Sequence, residues 1–284
     1  GGIRNDVPGY SRSVQYLNVG NEVGQTNRDG GFVFTYLSYL LRVNYALLDR
    51  YLLTVSFRRD GSSRFPASSR YGNFPAVGVG WRLSEEAFMA NQTVFNNLKL
   101  RASYGLLGNT NIQDYLFIPK IAPNLNPVFG QGQVLQPGAT ELNPVTSNLL
   151  WESVTQLDIG LEMGLLSNKL SLEVDYYNRT TSNMILDVRR PGGIQVSENA
   201  ARARNQGVEL SARWSDKTEG GLTYSLSANL TTVNNRVLDL GNGGVPIIGG
   251  SLGNGRTVTL TNAGYPIGAF WGYQVAGVFQ TPDQ

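Results

Sequence analysis

Five carboxylates are the residues of this sequence that are best placed to do chemistry. Two consecutive predicted strands joined by a tight turn can carry them on one face: Glu152, Asp158, Glu162, Glu173 and Asp175. Two carboxylates on either side of a glycosidic bond can act as acid and base. Such a strip can also bind a cation or a polar substrate, or its charges can pair with nearby Lys and Arg. We give the glycosidase reading little weight, because the sequence shows no groove or aromatic platform for a sugar. We favour the paired arrangement, because mutually paired charges are ordinary on the inner wall of wide barrels.

Histidine and cysteine, on which many catalytic and metal sites depend, are both absent from the 284 residues. Their absence excludes Cys/His zinc sites, cysteine nucleophiles and Ser-His-Asp triads. The sequence therefore predicts no enzyme activity, no cofactor and no metal site. The net charge of +2, with no dense run of Lys or Arg, also argues against a nucleic-acid partner.

The elements that must position these carboxylates are strands. Period-2 alternation, 34 glycines and 14 tyrosines predict an all-β protein. We predict nine strands, at 32–46, 51–60, 74–83, 97–107, 151–165, 168–186, 204–214, 221–233 and 270–280. One short helix is predicted within 83–95, with Ser84 as its cap. No apolar run is long enough for a transmembrane helix.

The predicted connections alternate between short and long. The short ones are 47–50, 167 and 215–220, the intermediate one is 84–96, and the long ones are 61–73, 108–150, 187–203 and 234–269. Because every second connection of an antiparallel sheet lies at the same end, the long loops gather at one end. Transmembrane β-barrels have this arrangement, with short periplasmic turns and long extracellular loops.

The predicted strands have one apolar face without charges and one polar face. The polar face carries Arg58, Lys99, Arg101, Glu152, Asp158, Glu162, Glu173, Asp175, Glu209 and Arg213. Alternation alone leaves two readings open, because a soluble sandwich would turn the apolar face inward and a barrel would turn it to lipid. Strand length favours the barrel, since several runs reach the 9–11 residues that cross a membrane at a tilt.

Aromatic residues near strand ends on the apolar face also favour the barrel, because interfacial girdles have this position. They are Tyr51, Trp81, Tyr104, Trp151, Tyr176 and Trp214. We therefore predict an antiparallel transmembrane β-barrel wall, with the polar face lining a lumen. A secreted β-sandwich that acts as an adhesin or a glycan-binding module is the alternative from another class.

The loops supply a second set of candidate binding residues. Arg58, Arg64, Arg70 and Arg82 surround the 61–73 loop and could bind lipopolysaccharide phosphates or an anionic substrate. Pairing with Asp60, Glu85 and Glu86 or with a plug is the alternative. Tyr115, Phe117 and Phe129 in the 108–150 loop could contact a substrate or a partner, or they could form a small core of the loop itself.

Six blocks, in order, resemble the barrel of SusC/RagA-like TonB-dependent outer-membrane transporters. They are "YLLTVSFRRDGSSRF", "GNFPAVGVGWRLSEEAFM", "NNLKLRASYGLLGNTNIQDY", "NLLWESVTQLDIGLEMGLLSNKLSLEVDYYNRTT", "ARARNQGVELSARW" and "PIGAFWGYQVAGVFQ". The resemblance implies active import of oligosaccharides or peptides across the outer membrane of Bacteroidetes-type bacteria. It also implies TonB as the energy source and a SusD-like lipoprotein over the extracellular mouth, often in a dimer of such pairs, with outer-membrane lipid around the wall.

The resemblance also implies a 22-stranded, plugged barrel, of which these residues would form only a part. We expect 1–31 to be a polar lead-in and 32–284 to be barrel wall. The plug, the TonB-contacting segment and the closing strands are expected outside this chain. A passive porin with a similar wall remains an alternative.

Overall fold

The computed structural model describes residues 33–118, 120–123, 128–129, 132, 134–135, 138–142, 148–189, 195–241, 243–253 and 256–274. Within these ranges the chain forms one large antiparallel sheet and three small sheets. None of the helices in these ranges is long and apolar enough to span a membrane. The loop candidate Phe129 lies in a short strand, but its side chain is outside the described part.

The large sheet, which we call the wall, contains nine described strands in the order β1-β2-β3-β4-β9-β10-β11-β12, with β13 also paired to β11. The wall strands are β1 (Tyr36–Leu47), β2 (Tyr51–Ser62), β3 (Tyr71–Arg82), β4 (Phe95–Asn109), β9 (Glu152–Leu165), β10 (Leu170–Arg189), β11 (Gln195–Lys217), β12 (Thr223–Thr231) and β13 (Asn234–Asp239). The small sheets contain β5 (Lys120–Pro123), β6 (Val128–Phe129), β7 (Val134–Leu135), β8 (Ala139–Leu142), β14 (Ile247–Ser251), β15 (Thr257–Thr261) and β16 (Ala269–Phe270).

Strands β12 and β13 continue one another along the same neighbour. Thr231 pairs with Glu209 and Asn234 pairs with Gln206, so the register of β12 carries over unchanged into β13. The wall is therefore eight strands wide in the described residues. Eight of the nine predicted strands are confirmed. Most of the ninth, 270–280, lies outside the described residues, and its described start pairs with β15 instead of the wall.

Each face of the wall is continuous because the register keeps like residues side by side. One apolar row crosses five strands at Val43, Val55, Val77, Tyr104 and Leu157. Such β-branched and aromatic side chains fit a pleated surface well. Yet the apolar face is open to its surroundings, and many of its side chains are exposed. A sandwich would bury this face about 10 Å below a second sheet, so the sandwich alternative is wrong.

The larger cluster of buried apolar side chains lies at one end of the wall. Phe65, Phe74, Leu149 and Trp151 form what we call the loop-end cluster. Phe65 and Trp151 stack with ring centroids 4.8 Å apart. Two connections at this end contribute to the cluster: Phe65 comes from 63–70, and Ile112, Leu116 and Leu149 come from described parts of 110–151. We call this end of the wall the loop end, and the opposite end, with connections 48–50, 83–94, 166–169 and 218–222, the short-turn end.

Several predicted loop boundaries were wrong because strands run further than the alternation shows. The predicted loop 187–203 is mostly strand, since β10 and β11 continue to Arg189 and from Gln195. Strand β13 occupies the start of the predicted loop 234–269. The connection 63–70 is shorter than 83–94, so the alternation of loop lengths is weaker than predicted. The predicted helix at 83–95 is two short 3₁₀ turns without a side-chain cap.

Candidate functional site

A lattice of ion pairs occupies the middle of the polar face, across β4, β9 and β10. Lys99 Nζ lies 3.0 Å from Glu162 Oε1, its cross-strand neighbour. Arg101 of β4 reaches past β9 to two carboxylates of β10. Its Nη2 lies 2.8 Å from Asp175 Oδ2 and also contacts Glu173. Its Nε lies 3.2 Å from Glu162 Oε1. The alternation therefore correctly placed these charges together, and they are mutually paired.

Glycine 160 makes the lattice possible. It lies opposite both Arg101 and Asp175 in the register. A Cβ at this position would lie 2.0 Å from Asp175 Oδ1 and 2.7 Å from Arg101 Nε. The absence of a side chain therefore lets Arg101 cross β9 and reach two carboxylates on β10. Sequence reasoning missed this residue, although the glycine between Asp158 and Glu162 in "DIGLEM" was a visible signal.

A groove runs beside the lattice on the same face. Its volume is about 230 Å³, and its lining includes Thr54, Gly78, Gly80, Ser103 and Asp158. A Cβ at Gly78 would lie 3.7 Å from the Ser103 Cβ, an ordinary contact, so the wall itself does not require glycine there. Glycine inside a strand often marks close approach of another chain or a ligand. The groove offers hydroxyl and carboxylate groups to such a neighbour.

The five carboxylates do not act as one site. Asp158 is held by Gln156 Nε2 at 3.0 Å and by the Ser103 hydroxyl at 3.3 Å. Glu152 lies at the loop end of β9, where Oε1 accepts the Ile185 N–H at 2.9 Å. Its other oxygen accepts a hydrogen bond from Asn109. The described residues contain no group of three or more acidic side chains that could hold a metal ion.

Of the remaining polar-face candidates, Glu209 lies beside the lattice, whereas Arg58 and Arg213 lie away from it. Arg58 pairs with Asp60 at 2.7 Å and donates to the Tyr36 hydroxyl at 3.1 Å. Glu209 is exposed and lies opposite Asp175. Arg213 Nε donates to the Ser215 hydroxyl at 3.4 Å. These residues widen the polar face but do not converge on one point.

The four arginines predicted around one loop do not form a cluster. Arg64 pairs with Asp114 at 2.7 Å and donates to the Thr110 carbonyl at 2.9 Å, so it fastens two loops together. Arg70 is exposed at the same end. Arg82 lies at the short-turn end, where it donates to the Asp49 carbonyl. The prediction failed for Arg82 because β3 carries it a full strand length away.

The aromatic residues of the 108–150 loop have different surroundings. The Tyr115 hydroxyl donates to the Val33 carbonyl at 2.8 Å and accepts the Val33 N–H at 3.1 Å. Tyr115 therefore ties the loop to the start of the wall. Phe117 is half-buried.

Comparison of the sequence with known protein families shows to which family the wall belongs. Residues 3–282 match the family described as TonB dependent receptor-like, beta-barrel. The chain belongs to this family. Its members are outer-membrane β-barrel proteins and not enzymes, so the wall is part of an outer-membrane protein.

Relatives of this TonB-dependent receptor include SusC-like proteins. TonB-dependent receptor P26 of Formosa agariphila is 32% identical over 100% of this chain and 28% of its own length. TonB-dependent receptor SusC of Bacteroides thetaiotaomicron is 33% identical over 84% of this chain and 25% of its own length. The chain thus spans only about a quarter of the length of these curated relatives, and over that part it is SusC/RagA-like.

A solved structure supports the same assignment. The RagAB peptide transporter matches with a TM-score of 0.69 and 29% identity, over 82% of this chain and 25% of that chain. Among the described strands, none pairs with the outer edge of β1 or of β12, as expected where further strands of a TonB-dependent receptor barrel would follow.

The residues predicted to form an aromatic girdle lie at a strand end only at the short-turn end of this receptor wall, and their contact with lipid stays a prediction. Tyr51 and Trp81 lie side by side there, with ring centroids 6.4 Å apart. Tyr104 and Tyr176 lie in the middle of their strands instead. Trp214 faces Leu170 and Leu226 near the short-turn end.

Trp151 is not a girdle residue. It lies one residue before β9 begins, so the alternation of the strand does not fix its direction. Its ring is buried in the loop-end cluster, and its indole N–H donates to the Ser69 carbonyl at 2.8 Å. A neighbouring hydrogen bond adds to this packing, since the Ser69 hydroxyl donates to the Leu149 carbonyl at 2.5 Å.

Glu86 links the girdle residues of the short-turn end. Its Oε1 accepts hydrogen bonds from Trp81 Nε1 at 2.9 Å and from the Tyr51 hydroxyl at 2.8 Å. Arg50 lies 3.5 Å from the other oxygen. The bond from Trp81, followed by that from Tyr51 and the charge of Arg50, lowers the pKa of the Glu86 carboxyl below its ordinary value. We call these residues the Glu86 clasp.

Proposed function

We propose that this wall belongs to an importer that takes up oligosaccharides or peptides across the outer membrane, driven through TonB. The observation that carries the proposal is the match of the whole chain to a TonB-dependent receptor and of 84% of it to SusC, together with the fold shared with the RagAB peptide transporter. The rest of the transporter would supply the plug, the contact with TonB and the remaining strands.

The two faces of the wall support this function. The apolar face, which is exposed on β1 to β4 and on β9 to β12, meets lipid in our proposal, and the polar face lines the lumen. The paired ions of the lattice would keep the polar face hydrated while leaving it with a low net charge. A neutral, polar solute can then pass along it without being held by an isolated charge. The groove beside Ser103 is where such a solute or a lumenal segment would come closest to the backbone.

The loop end is proposed to face the cell exterior and to support a SusD-like lipoprotein. Its connections are fastened by the Arg64–Asp114 pair and by the loop-end cluster. Tyr115 and Phe117 lie on this surface, and we propose that they contact substrate or the lipoprotein. The exposed Arg70 is the residue of this end that we expect to meet anionic headgroups. A dimer of transporter–lipoprotein pairs is part of the same proposal.

Uptake of labelled substrates by intact cells tests the proposal. Cells that express the full-length protein should accumulate a labelled oligosaccharide or peptide, and deletion of TonB should abolish that accumulation. Uptake that continues without TonB would instead identify a passive porin. Deletion of the adjacent surface lipoprotein, with TonB intact, tests the partner separately.

A further inference from the structure

Exposed apolar side chains mark every connection at the short-turn end of the described wall. Leu48 lies between β1 and β2, Leu166 between β9 and β10, and Leu222 between β11 and β12. The connection between β3 and β4 carries Phe88 and Val94. All five side chains are exposed. Turns of a soluble rim are normally polar, so this pattern requires an explanation.

Two of these residues adopt a backbone conformation that disfavours them. Leu48 and Leu166 both have a φ of 53°, in the left-handed region. Gly, Asn and Asp occupy this region with less strain than a branched aliphatic residue. Both leucines follow a second leucine at the end of a strand, Leu47 and Leu165. Neither gains a compensating burial, since Leu48 is 71% and Leu166 is 59% exposed. Backbone strain that is not offset by burial within the protein indicates that these two leucines contact a partner.

The spread of the five side chains identifies the partner. The two outermost connections, β1–β2 and β11–β12, lie six strand spacings apart along the wall. At about 4.8 Å per spacing, this is a span of roughly 30 Å. A compact protein would contact neighbouring connections, whereas a bilayer contacts all of them. The apolar face reaches these connections, because Leu47 at the end of β1 pairs with Tyr51 of the girdle. Leu166 and Val94 also line one cavity together with Leu165 and Leu170, the paired residues at the ends of β9 and β10. The lipid-facing surface of the proposed barrel thus has an apolar extension beyond the ends of the strands.

We propose that Leu48, Phe88, Val94, Leu166 and Leu222 insert into the adjacent leaflet of the bilayer and fix the depth of the barrel. The partner is the phospholipid surface at the level where acyl chains meet headgroups. Neighbouring charges fit this depth: Lys169 pairs with Asp216 at 2.9 Å, and Arg50 pairs with Glu86. These groups can stay at the headgroups while the leucines reach down.

Fluorescence quenching of the full-length protein in phosphatidylethanolamine–phosphatidylglycerol vesicles tests the proposal. A bimane label is attached to Leu48→Cys, and in a matched control to Asp49→Cys, with no other reactive thiol present. Asp49 is the next residue of the same turn, also exposed, with a φ of 55°. Phosphatidylcholine brominated near the glycerol end of its chains reports lipid contact, and iodide reports water contact.

The label at Leu48 should lose emission to brominated lipid and be shielded from iodide, and the label at Asp49 should show the reverse. Leu166→Cys and Ser167→Cys form a second, independent pair, which decides the question if a Leu48 variant does not fold. Iodide quenching at both leucine positions, without quenching by brominated lipid, would overturn the proposal. Equal lipid quenching at leucine and control positions would overturn it as well, because depth would then not depend on the leucines.

Discussion

The two ends of the wall are held together in different ways. At the loop end, aromatic rings and Leu149 are buried in a cluster that packs loops onto strands. At the short-turn end, Tyr51 and Trp81 stay partly exposed, and the polar atoms at their tips share one carboxylate, Glu86. The first end resembles a small soluble core, and the second resembles a membrane interface.

The surroundings of each end explain the difference. Loops that leave the membrane for water need apolar burial to hold their shape. Aromatic side chains at an interface can leave their rings in the apolar layer, and only their N–H and O–H groups need partners. The comparison therefore predicts a large loss of stability from truncation at the loop end and a small, pH-dependent effect at the short-turn end.

The largest effect is expected from Trp151→Ala. Removal of a buried tryptophan leaves a cavity and also frees the Ser69 carbonyl, so the free energy of unfolding should fall by about 3–5 kcal/mol. Trp214→Ala, which removes a half-buried tryptophan from the apolar face, is the matched control. Heat-dependent gel migration of the full-length protein in detergent measures both. Equal losses for the two variants would break the comparison between buried and interfacial aromatics.

A charge on the apolar face should cost slightly less. Leu100→Arg places a cation at mid-strand in lipid and should destabilise by about 2–4 kcal/mol. Ser103→Arg, on the polar face of the same strand beside Asp158, should be much milder. Assembly into the outer membrane and resistance to urea report the difference. If cells tolerate both variants equally, the assignment of faces is wrong.

A methyl group added at Gly160 should disturb the ion lattice and lower the stability of the protein. Gly160→Ala forces Arg101 and Asp175 apart, and we expect a loss of about 1–3 kcal/mol from the steric conflict. Gly78→Ala is the control, because its methyl group fits in ordinary contact with Ser103. Thermal unfolding of the two full-length variants gives the comparison. A harmless Gly160→Ala would mean that the lattice does not depend on the glycine.

The smallest effect concerns the Glu86 clasp. The folded-state pKa of Glu86 is lowered by Trp81 and Tyr51, so its contribution to stability is complete above the unfolded value of 4.5 and is lost as the pH falls through the folded value. The thermal midpoint should therefore decline at acidic pH more steeply in the natural protein than in Glu86→Gln. Superimposable pH profiles would remove Glu86 as a titrating partner.

Much of the wall was predictable because lipid and water impose opposite demands on alternate residues. The strand containing Leu98, Leu100 and Ala102 shows that alternation and lies where it was expected. The loop-end parts of β10 and β11 were missed because the alternation weakens there. Beyond Ser182 no wall strand lies beside β10 on one side, so a strict apolar face is no longer required there.

The lattice was only half predictable. Alternation places Lys99, Arg101 and Glu162 on one face. Which of them pair depends on β4 lying beside β9, although the long 110–151 connection separates the two strands in sequence. Local pattern carries no information about that pairing. Trp151 was misplaced for a simpler reason, because it lies one residue before β9 begins and the alternation of a strand does not fix side chains outside it.

The central claim is that the two faces of the wall meet different media, and nitroxide labels along β4 test it most directly. Single cysteines at Leu100, Ala102, Ser103 and Gly105 of the full-length protein in bilayers would carry the labels. Collision with oxygen, which partitions into lipid, should be high at Leu100 and Ala102 and low at Ser103 and Gly105. Uniform oxygen accessibility along the strand, or the reverse alternation, would contradict the account.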